Sequence, residues 1–148
     1  MQWKPNTTVA AIICRDDRFL VVEEQVEGRI VINQPAGHLE EHESPLQAVQ
    51  REVTEETGYA FQPICITGIY FYRSPDNGIT YLRFCFAGTC SDQPHDGSLD
   101  HGIIRAAWMT RAELAACSAM HRSPLVLRCI DDYLSDRRFP LDMVARVQ

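Results

Sequence analysis

The chain has no apolar run long enough to cross a membrane, and it lacks the features of a secretory leader. A membrane-spanning helix needs roughly 20 consecutive apolar residues, and no run in these 148 residues approaches that length. The first residues, Met1 to Pro5, contain no basic stretch, apolar core or cleavage site. We therefore expect a cytoplasmic protein.

Positive charge is also scarce. Lysine and arginine total 14 against 20 aspartates and glutamates, and the formal net charge is −6. Long nucleic acids are bound by basic surfaces, so we expect no nucleic-acid polymer as a partner. A small phosphorylated substrate stays compatible with this balance, provided that a metal ion supplies positive charge locally.

Paired cysteine motifs are absent, although the chain has six cysteines. Without a Cys-x-x-Cys pair, the sequence predicts no zinc site. Cys14, Cys85 and Cys129 lie in apolar runs, and a cytosolic chain of this size rarely needs disulfides. We therefore predict reduced thiols in the core.

No repeat or long linker interrupts the chain, so residues 1–148 are predicted to form one domain. Runs of apolar and β-branched residues, separated by polar turn residues, predict strands over residues 7–14, 18–24, 29–33, 64–72, 79–87 and 103–109. Trp108, in the last of these, is expected in the core. Helices are predicted to begin at Thr110 and at Ser123, the latter running to about Asp136. The order predicts an α/β fold with a mixed β-sheet flanked by helices on both faces.

Another helix is predicted over residues 45–57 by strong signals at both ends. Ser44 is a good N-cap, Pro45 suits the first helical position, and Gln47 completes a capping box. Gly58 supplies the C-terminal stop. A core-facing apolar stripe on this helix is formed by Leu46, Val49 and Val53.

The same helix carries three carboxylates beside its apolar stripe. Glu52, Glu55 and Glu56 span about 100° of arc, and like charges at such spacing cost roughly 0.2–0.5 kcal/mol per pair. The last two also lie near the C-terminus, where the helix dipole disfavours anions. A hard divalent cation such as Mg²⁺ would offset these costs. Taken alone, the three glutamates favour a solvated acidic face over a metal site.

The residues around them resemble the Nudix box. Gly37 is followed after five residues by Glu43, and after seven more by Arg51-Glu52-Val53-x-Glu55-Glu56-x-Gly58. Tyr59 departs from the pattern, since the family usually has an aliphatic residue there. The resemblance implies an α/β/α sandwich and an enzyme that uses water to hydrolyse a diphosphate bond.

Roles for individual residues also follow from the resemblance. Glu52, Glu55 and Glu56 would hold Mg²⁺ or Mn²⁺, joined by the carbonyl of Gly37. Glu55 and Glu56 are the expected catalytic residues, and Glu55 is our choice of proton acceptor, although its role as ligand or base stays open. Glu43 and Arg51 would form a structural ion pair. In some relatives a loop carboxylate is the base, so three polar loop residues, which are otherwise simply solvated, are reserve candidates: Asp96, Asp100 and His101.

Four residues are candidates for substrate binding. Arg29 and Arg83 would contact a phosphate or else face water. His38 follows Gly37 and would touch a phosphate or remain a simple loop residue. Tyr81 lies on the same strand face as Arg83, where it would stack on a base.

Further segments resemble a group of bacterial phosphatases within the family, including Trp3-Lys4-Pro5, residues 20–24 and 33–40, Leu82-Arg83-Phe84 and Phe139-Pro140-Leu141. This resemblance implies that nucleoside tri- and diphosphates and the thiamine precursor hydroxymethylpyrimidine diphosphate are substrates. An ADP-ribose or dinucleoside-polyphosphate pyrophosphatase is the alternative, since Pro75 resembles a weak ADP-ribose marker. A non-catalytic Nudix ligand sensor is a second alternative, which the retained carboxylates disfavour. We expect a monomer rather than a homodimer.

Overall fold

The strand β1 (Asn6–Arg15) organises the sheet, because three other strands pair with it. It pairs in parallel with β6 (Thr80–Cys90) and antiparallel with the short β4 (Ala36–His38). Its last residues form a hairpin with β2 (Arg18–Val26). Asp16 and Asp17 make the turn with φ of 52° and 61°, in the left-handed region that aspartate tolerates better than most residues. This computed structural model describes residues 1–147.

The remaining strands extend the sheet on both sides of β1. β2 pairs antiparallel with β3 (Arg29–Asn33) and with β7 (Ile103–Thr110), and β6 pairs antiparallel with β5 (Phe61–Arg73). One parallel pairing among antiparallel ones makes the sheet mixed, as predicted. All six predicted strands are present, most of them extended by a few residues.

Helices cover both faces of the sheet, which confirms the predicted α/β sandwich. α1 (Pro45–Thr57) lies on one face, and α2 (Arg111–Ala116) and α3 (Leu125–Leu134) lie on the other. Side chains alternate along β1, so it serves two cores. The core under α1 includes Val9, Ala11, Ile13, Ala48, Val49, Val53 and Phe86. The core under α2 and α3 includes Ala10, Ile12, Tyr70, Cys85, Leu114, Cys129 and Ile130.

The ends of α1 have the predicted caps. The Gln47 N–H donates to Ser44 Oγ (3.2 Å), and the Ser44 N–H donates to Gln47 Oε1 (2.9 Å), which completes the capping box. Gly58 ends the helix at φ 81°, a conformation in which a Cβ would be strained. These caps fix which turn of α1 carries each carboxylate.

Three details differ from the sequence predictions. β4 has no counterpart among the predicted strands, the third of which covers residues 29–33. The helix capped by Thr110 is only six residues long. Trp108 is partly rather than fully buried and donates from Nε1 to the Tyr59 hydroxyl (3.2 Å). The six cysteines are free, as predicted, but only Cys85 and Cys129 are buried in the core, and Cys14 is partly buried. No helix among the described residues is long and apolar enough to cross a membrane.

Candidate functional site

An open cavity of about 570 Å³ runs along one side of β4, β1 and β6. Residues of β2 and β3 and the start of α3 supply further walls. Across the sheet, Thr8 is the register partner of both His38 and Arg83. The three side chains therefore form one row on the cavity face, because paired residues of adjacent strands point the same way.

Two glutamates of α1 reach the cavity at the β4 end. Glu52 and Glu56 are each only 8% exposed. Glu56 Oε1 accepts a hydrogen bond from the Ala36 N–H (2.9 Å). Burial raises the pKa of Glu56 to about 8, against the opposing effect of the Ala36 hydrogen bond. Burial likewise raises the pKa of Glu52, opposed by its hydrogen bond from Arg51. Buried acids with few counter-charges are typical of functional sites.

Gly37 leaves space for one of these carboxylates. A Cβ placed on Gly37 would overlap the carboxylate of Glu52. Any other residue would force the Glu52 carboxylate to move, so glycine is favoured here by close approach and not by its backbone torsion. The overlap also shows that the β4 backbone at Gly37 packs against the carboxylate of Glu52.

Arg51 links α1 to the loop before it. Its Nη2 and Nε donate to the Glu43 carboxylate at 2.6 Å and 3.0 Å, and Nη2 also donates to the His38 carbonyl (3.1 Å). The predicted contact between Glu43 and Arg51 is thus present. The Arg51 hydrogen bonds lower the pKa of Glu43. Arg51 also contacts Glu52 (2.8 Å) and Glu55 (3.2 Å) through Nη1, which the sequence did not indicate.

Three carboxylates come close enough together to hold one cation. Oxygens of Glu52, Glu55 and Asp100 lie within 4.8 Å of one another, and carboxylate oxygens are the ligands that hard divalent cations prefer. Two of these residues belong to the set predicted on α1. The third predicted ligand, Glu56, is engaged by Ala36 instead, and the loop residue Asp100 completes the group.

Of the three loop candidates, one lies beside the α1 carboxylates and two do not. Asp100 is held near α1 because its N–H donates to the Glu55 carbonyl (2.9 Å). Asp96 and His101 are exposed and do not belong to the carboxylate group. Of the three reserve candidates, Asp100 alone has a position from which it can act with the α1 glutamates.

All four candidates for substrate binding line the cavity. Arg29 and His38 are exposed, and Tyr81 is partly buried. Arg83 is 6% exposed, so the alternative in which it faces water is wrong. The cavity also includes Asn33, Tyr72 and Arg122, which sequence reasoning missed. Tyr72 could have been predicted as a lining residue. It ends the predicted strand of residues 64–72 and pairs with Tyr81 of the next predicted strand.

A protein-family model and curated relatives match most of the chain. The model of the NUDIX domain matches residues 4–129. The phosphatase NudJ of Escherichia coli (strain K12) is 40% identical over 146 residues, which are 96% of this chain and 92% of that protein.

Solved structures with the same fold include one at high identity. A NUDIX hydrolase from Nitrosomonas europaea is 52% identical, with a TM-score of 0.95, and the match covers 97% of this chain and 98% of that one. The NUDIX domain of Shewanella oneidensis NrtR, solved with ADP ribose, has a TM-score of 0.73 at 20% identity, covering 91% and 90% of the two chains. At that identity the second likeness concerns the fold alone.

Proposed function

Since this chain belongs to the Nudix hydrolase family, we propose that it hydrolyses a diphosphate bond in nucleoside tri- and diphosphates and in hydroxymethylpyrimidine diphosphate, with Mg²⁺ or Mn²⁺ as cofactor. The observation that carries the proposal is the meeting of the α1 carboxylates with the β4 backbone at one end of an open cavity. The similarity to NudJ, a protein named as a phosphatase, supports the release of phosphate from a phosphorylated substrate. We also place the enzyme in the cytoplasm.

The residues at this end of the cavity fit a divalent cation. Glu52, Glu55 and Glu56 would hold it together with the Gly37 carbonyl, and Asp100 is close enough to Glu52 and Glu55 to take part. The space that a Cβ at Gly37 would fill lets the β4 backbone approach Glu52. When bound, the cation neutralises charge on the phosphoryl oxygens and lowers the pKa of water.

The side chains around the proposed metal site have separate roles in the reaction. Glu55, with 38% of its side chain exposed, is the most accessible of the three glutamates and is our proposed proton acceptor for the attacking water. Asp100, held by its backbone bond to Glu55, is the second candidate for that step. Arg51 orients Glu52 and Glu55 by donating to both, and the Glu43–Arg51 pair is a structural brace.

The variant Glu56→Gln tests the proposal. It keeps the shape of the side chain and its ability to accept from Ala36 but removes the charge. We expect kcat/KM with a nucleoside triphosphate and Mg²⁺ to fall by at least about 100-fold, as expected for loss of a direct metal ligand. Mn²⁺ affinity, measured by calorimetry, should fall as well.

A matched control is Glu41→Gln, which removes the same charge from a side chain that is 87% exposed. That variant should keep its turnover and its affinity for Mn²⁺. A folded Glu56→Gln protein with undiminished turnover would contradict the role of α1 in binding the metal.

A substrate panel separates the proposal from the ADP-ribose pyrophosphatase alternative. With Mg²⁺, released phosphate and released nucleoside monophosphate are scored for each substrate. Turnover of ADP-ribose far above every triphosphate and diphosphate would refute the proposed substrates. Hydrolysis of ATP in isotopically labelled water then shows which phosphorus is attacked.

A further inference from the structure

Arg83 is a buried cation without a carboxylate partner. It is 6% exposed, and no salt bridge found among residues 1–147 includes it. Its Nη1 donates to Gln34 Oε1 (3.1 Å) and contacts Cys129 Sγ (3.8 Å). Its Nη2 makes one long bond to Asn33 Oδ1 (3.4 Å). Its partners are two amide oxygens and the Cys129 sulfur, and burying a charge without a carboxylate partner is costly.

One edge of the guanidinium holds the unused donors. Nε is buried and has no hydrogen-bond partner among the described residues, and Nη2 has a second hydrogen to donate. Nε and Nη2 form the side-on edge of the group, with two parallel N–H bonds suited to a pair of adjacent acceptors. Since Arg83 lines the cavity, a ligand is the natural source of those acceptors.

The neighbouring amides are arranged so that they add donors. Gln34 is fixed because its Nε2 donates to the Val126 carbonyl (2.7 Å) while its oxygen faces Arg83. Asn33 also turns its oxygen towards Arg83, and its Nδ2 donates to no other described residue. Asn33 lines the cavity. This part of the wall therefore offers N–H groups of Arg83 and Asn33 to a ligand.

Two tyrosines lie beside Arg83 on the same face of the sheet. Tyr81 is two residues from Arg83 along β6 and is the register partner of Tyr72 on β5. Both rings line the cavity. Aromatic side chains at such positions stack on flat rings.

The distance from the carboxylates indicates which part of a substrate reaches Arg83. β6 is separated from β4 by β1, so the backbones of β6 and β4 are about 10 Å apart at two strand spacings, while the Arg83 guanidinium reaches Asn33 and Gln34, just before β4. The carboxylate group and Gly37 are at the β4 end. A substrate whose diphosphate lies at the carboxylates can therefore extend along the cavity so that its ring reaches Arg83.

We propose that Arg83 and Asn33, with the Tyr72–Tyr81 pair, bind the base of a nucleotide substrate by two adjacent hydrogen-bond acceptors. The proposal rests on the proposed function, and it specifies the substrate class: guanine nucleotides are favoured over adenine nucleotides. Guanine presents O6 and N7 side by side, which match an arginine edge, whereas adenine places the N6 donor next to N7.

The test compares GTP with ATP in the wild type and in Arg83→Gln and Arg83→Lys. We expect a wild-type kcat/KM ratio of GTP to ATP of about 10 or more, within the range that one bidentate arginine contact gives. Arg83→Gln should bring the ratio towards 1, with most of the change in the KM for GTP. Arg83→Lys should be intermediate, because an ammonium keeps the charge but cannot bind in the same bidentate way.

The control is Arg111→Gln, which removes the same charge from an exposed residue paired with Asp131, outside the cavity. It should leave the ratio unchanged. If Arg83→Gln fails to fold, Asn33→Ala takes its place, with a smaller expected drop in the ratio. Equal losses for GTP and ATP would show that Arg83 contacts phosphate and would overturn the proposal, as would an unchanged ratio.

Binding of GMP and AMP by calorimetry tests the subsite without turnover. The wild type should bind GMP more tightly than AMP, and Arg83→Gln should lose the difference. Equal affinities in the wild type would overturn the subsite even if the enzyme is active. An inactive wild type that still prefers GMP would contradict the proposed hydrolysis and leave the subsite supported.

Discussion

The Glu43–Arg51 ion pair is predicted to stabilise the fold. Its contribution to the free energy of unfolding can be measured by replacing Glu43 with glutamine and Arg51 with methionine, singly and together. Two charge-assisted hydrogen bonds of 2.6 Å and 3.0 Å join the side chains, which are 14% and 22% exposed. Exposed pairs contribute about 0–1 kcal/mol, while hydrogen bonds to charged groups contribute about 1.5–3 kcal/mol. Because this pair is mostly shielded from solvent, we expect a coupling energy of about 1–2 kcal/mol.

The two single variants should differ in size. Glu43→Gln removes the charge that faces Arg51 and weakens the bond that Glu43 Oε1 accepts from the Glu40 N–H (2.8 Å), and it should destabilise the protein by about 1–2 kcal/mol. Arg51→Met also leaves the His38 carbonyl and Glu52 without their donor, so we expect about 2–3 kcal/mol. For a chain of this length, the melting temperature falls by about 2–4 °C per kcal/mol.

Urea unfolding with a chelator present gives these free energies without a contribution from bound metal. Turnover of the same proteins is then measured with Mg²⁺. A coupling energy below about 0.5 kcal/mol would refute the structural role of the pair. Stable Glu43→Gln protein with kcat reduced about 100-fold would instead assign Glu43 to the catalytic machinery.

Three further predictions concern single residues. Gly37→Ala should fold but lose about 10–100-fold in kcat/KM, because its Cβ displaces the Glu52 carboxylate; normal turnover would contradict this. Tyr70→Phe should lose about 1 kcal/mol in urea unfolding, because the hydroxyl donates to Asp132 (2.8 Å); an equal stability would show that this bond contributes nothing. The pKa of Glu43 is held below its ordinary value of 4.5 by Arg51, so the stability advantage of wild type over Glu43→Gln should be full above about pH 5 and decline as pH falls through the folded pKa. An advantage that grows on acidification would contradict that sign.

α1 could be predicted from sequence because its signals are local. Ser44, Gln47 and Gly58 determine the ends of the helix by contacts within a few residues, and the spacing of the glutamates fixes the face that they share. The α/β class followed from the order of elements in the same way. The family match of residues 4–129 agrees with the box read from residues 37–58.

The features that were missed depend on residues far apart in the chain. The three residues of β4 form a strand because β1 pairs with them, and a segment so short has no periodicity to detect. Arg83 is buried by contacts with Asn33 and Gln34, which are 50 and 49 positions away. Asp100 joins the carboxylates through a backbone bond to Glu55. Sequence spacing alone carries none of this information.

The parallel pairing of β1 with β6 determines when the cavity wall can form during folding. Thr8 comes near the start of the chain and its partner Arg83 lies past the midpoint, with β2 to β5 between them. An amino-terminal fragment that ends before β6 cannot build the cavity wall, even if it already contains Gly37 and every carboxylate of α1. During synthesis, those carboxylates therefore emerge before the wall to which we propose that the substrate binds. Closing so long a loop makes this pairing a slow step of folding, and enzymatic activity must wait for it.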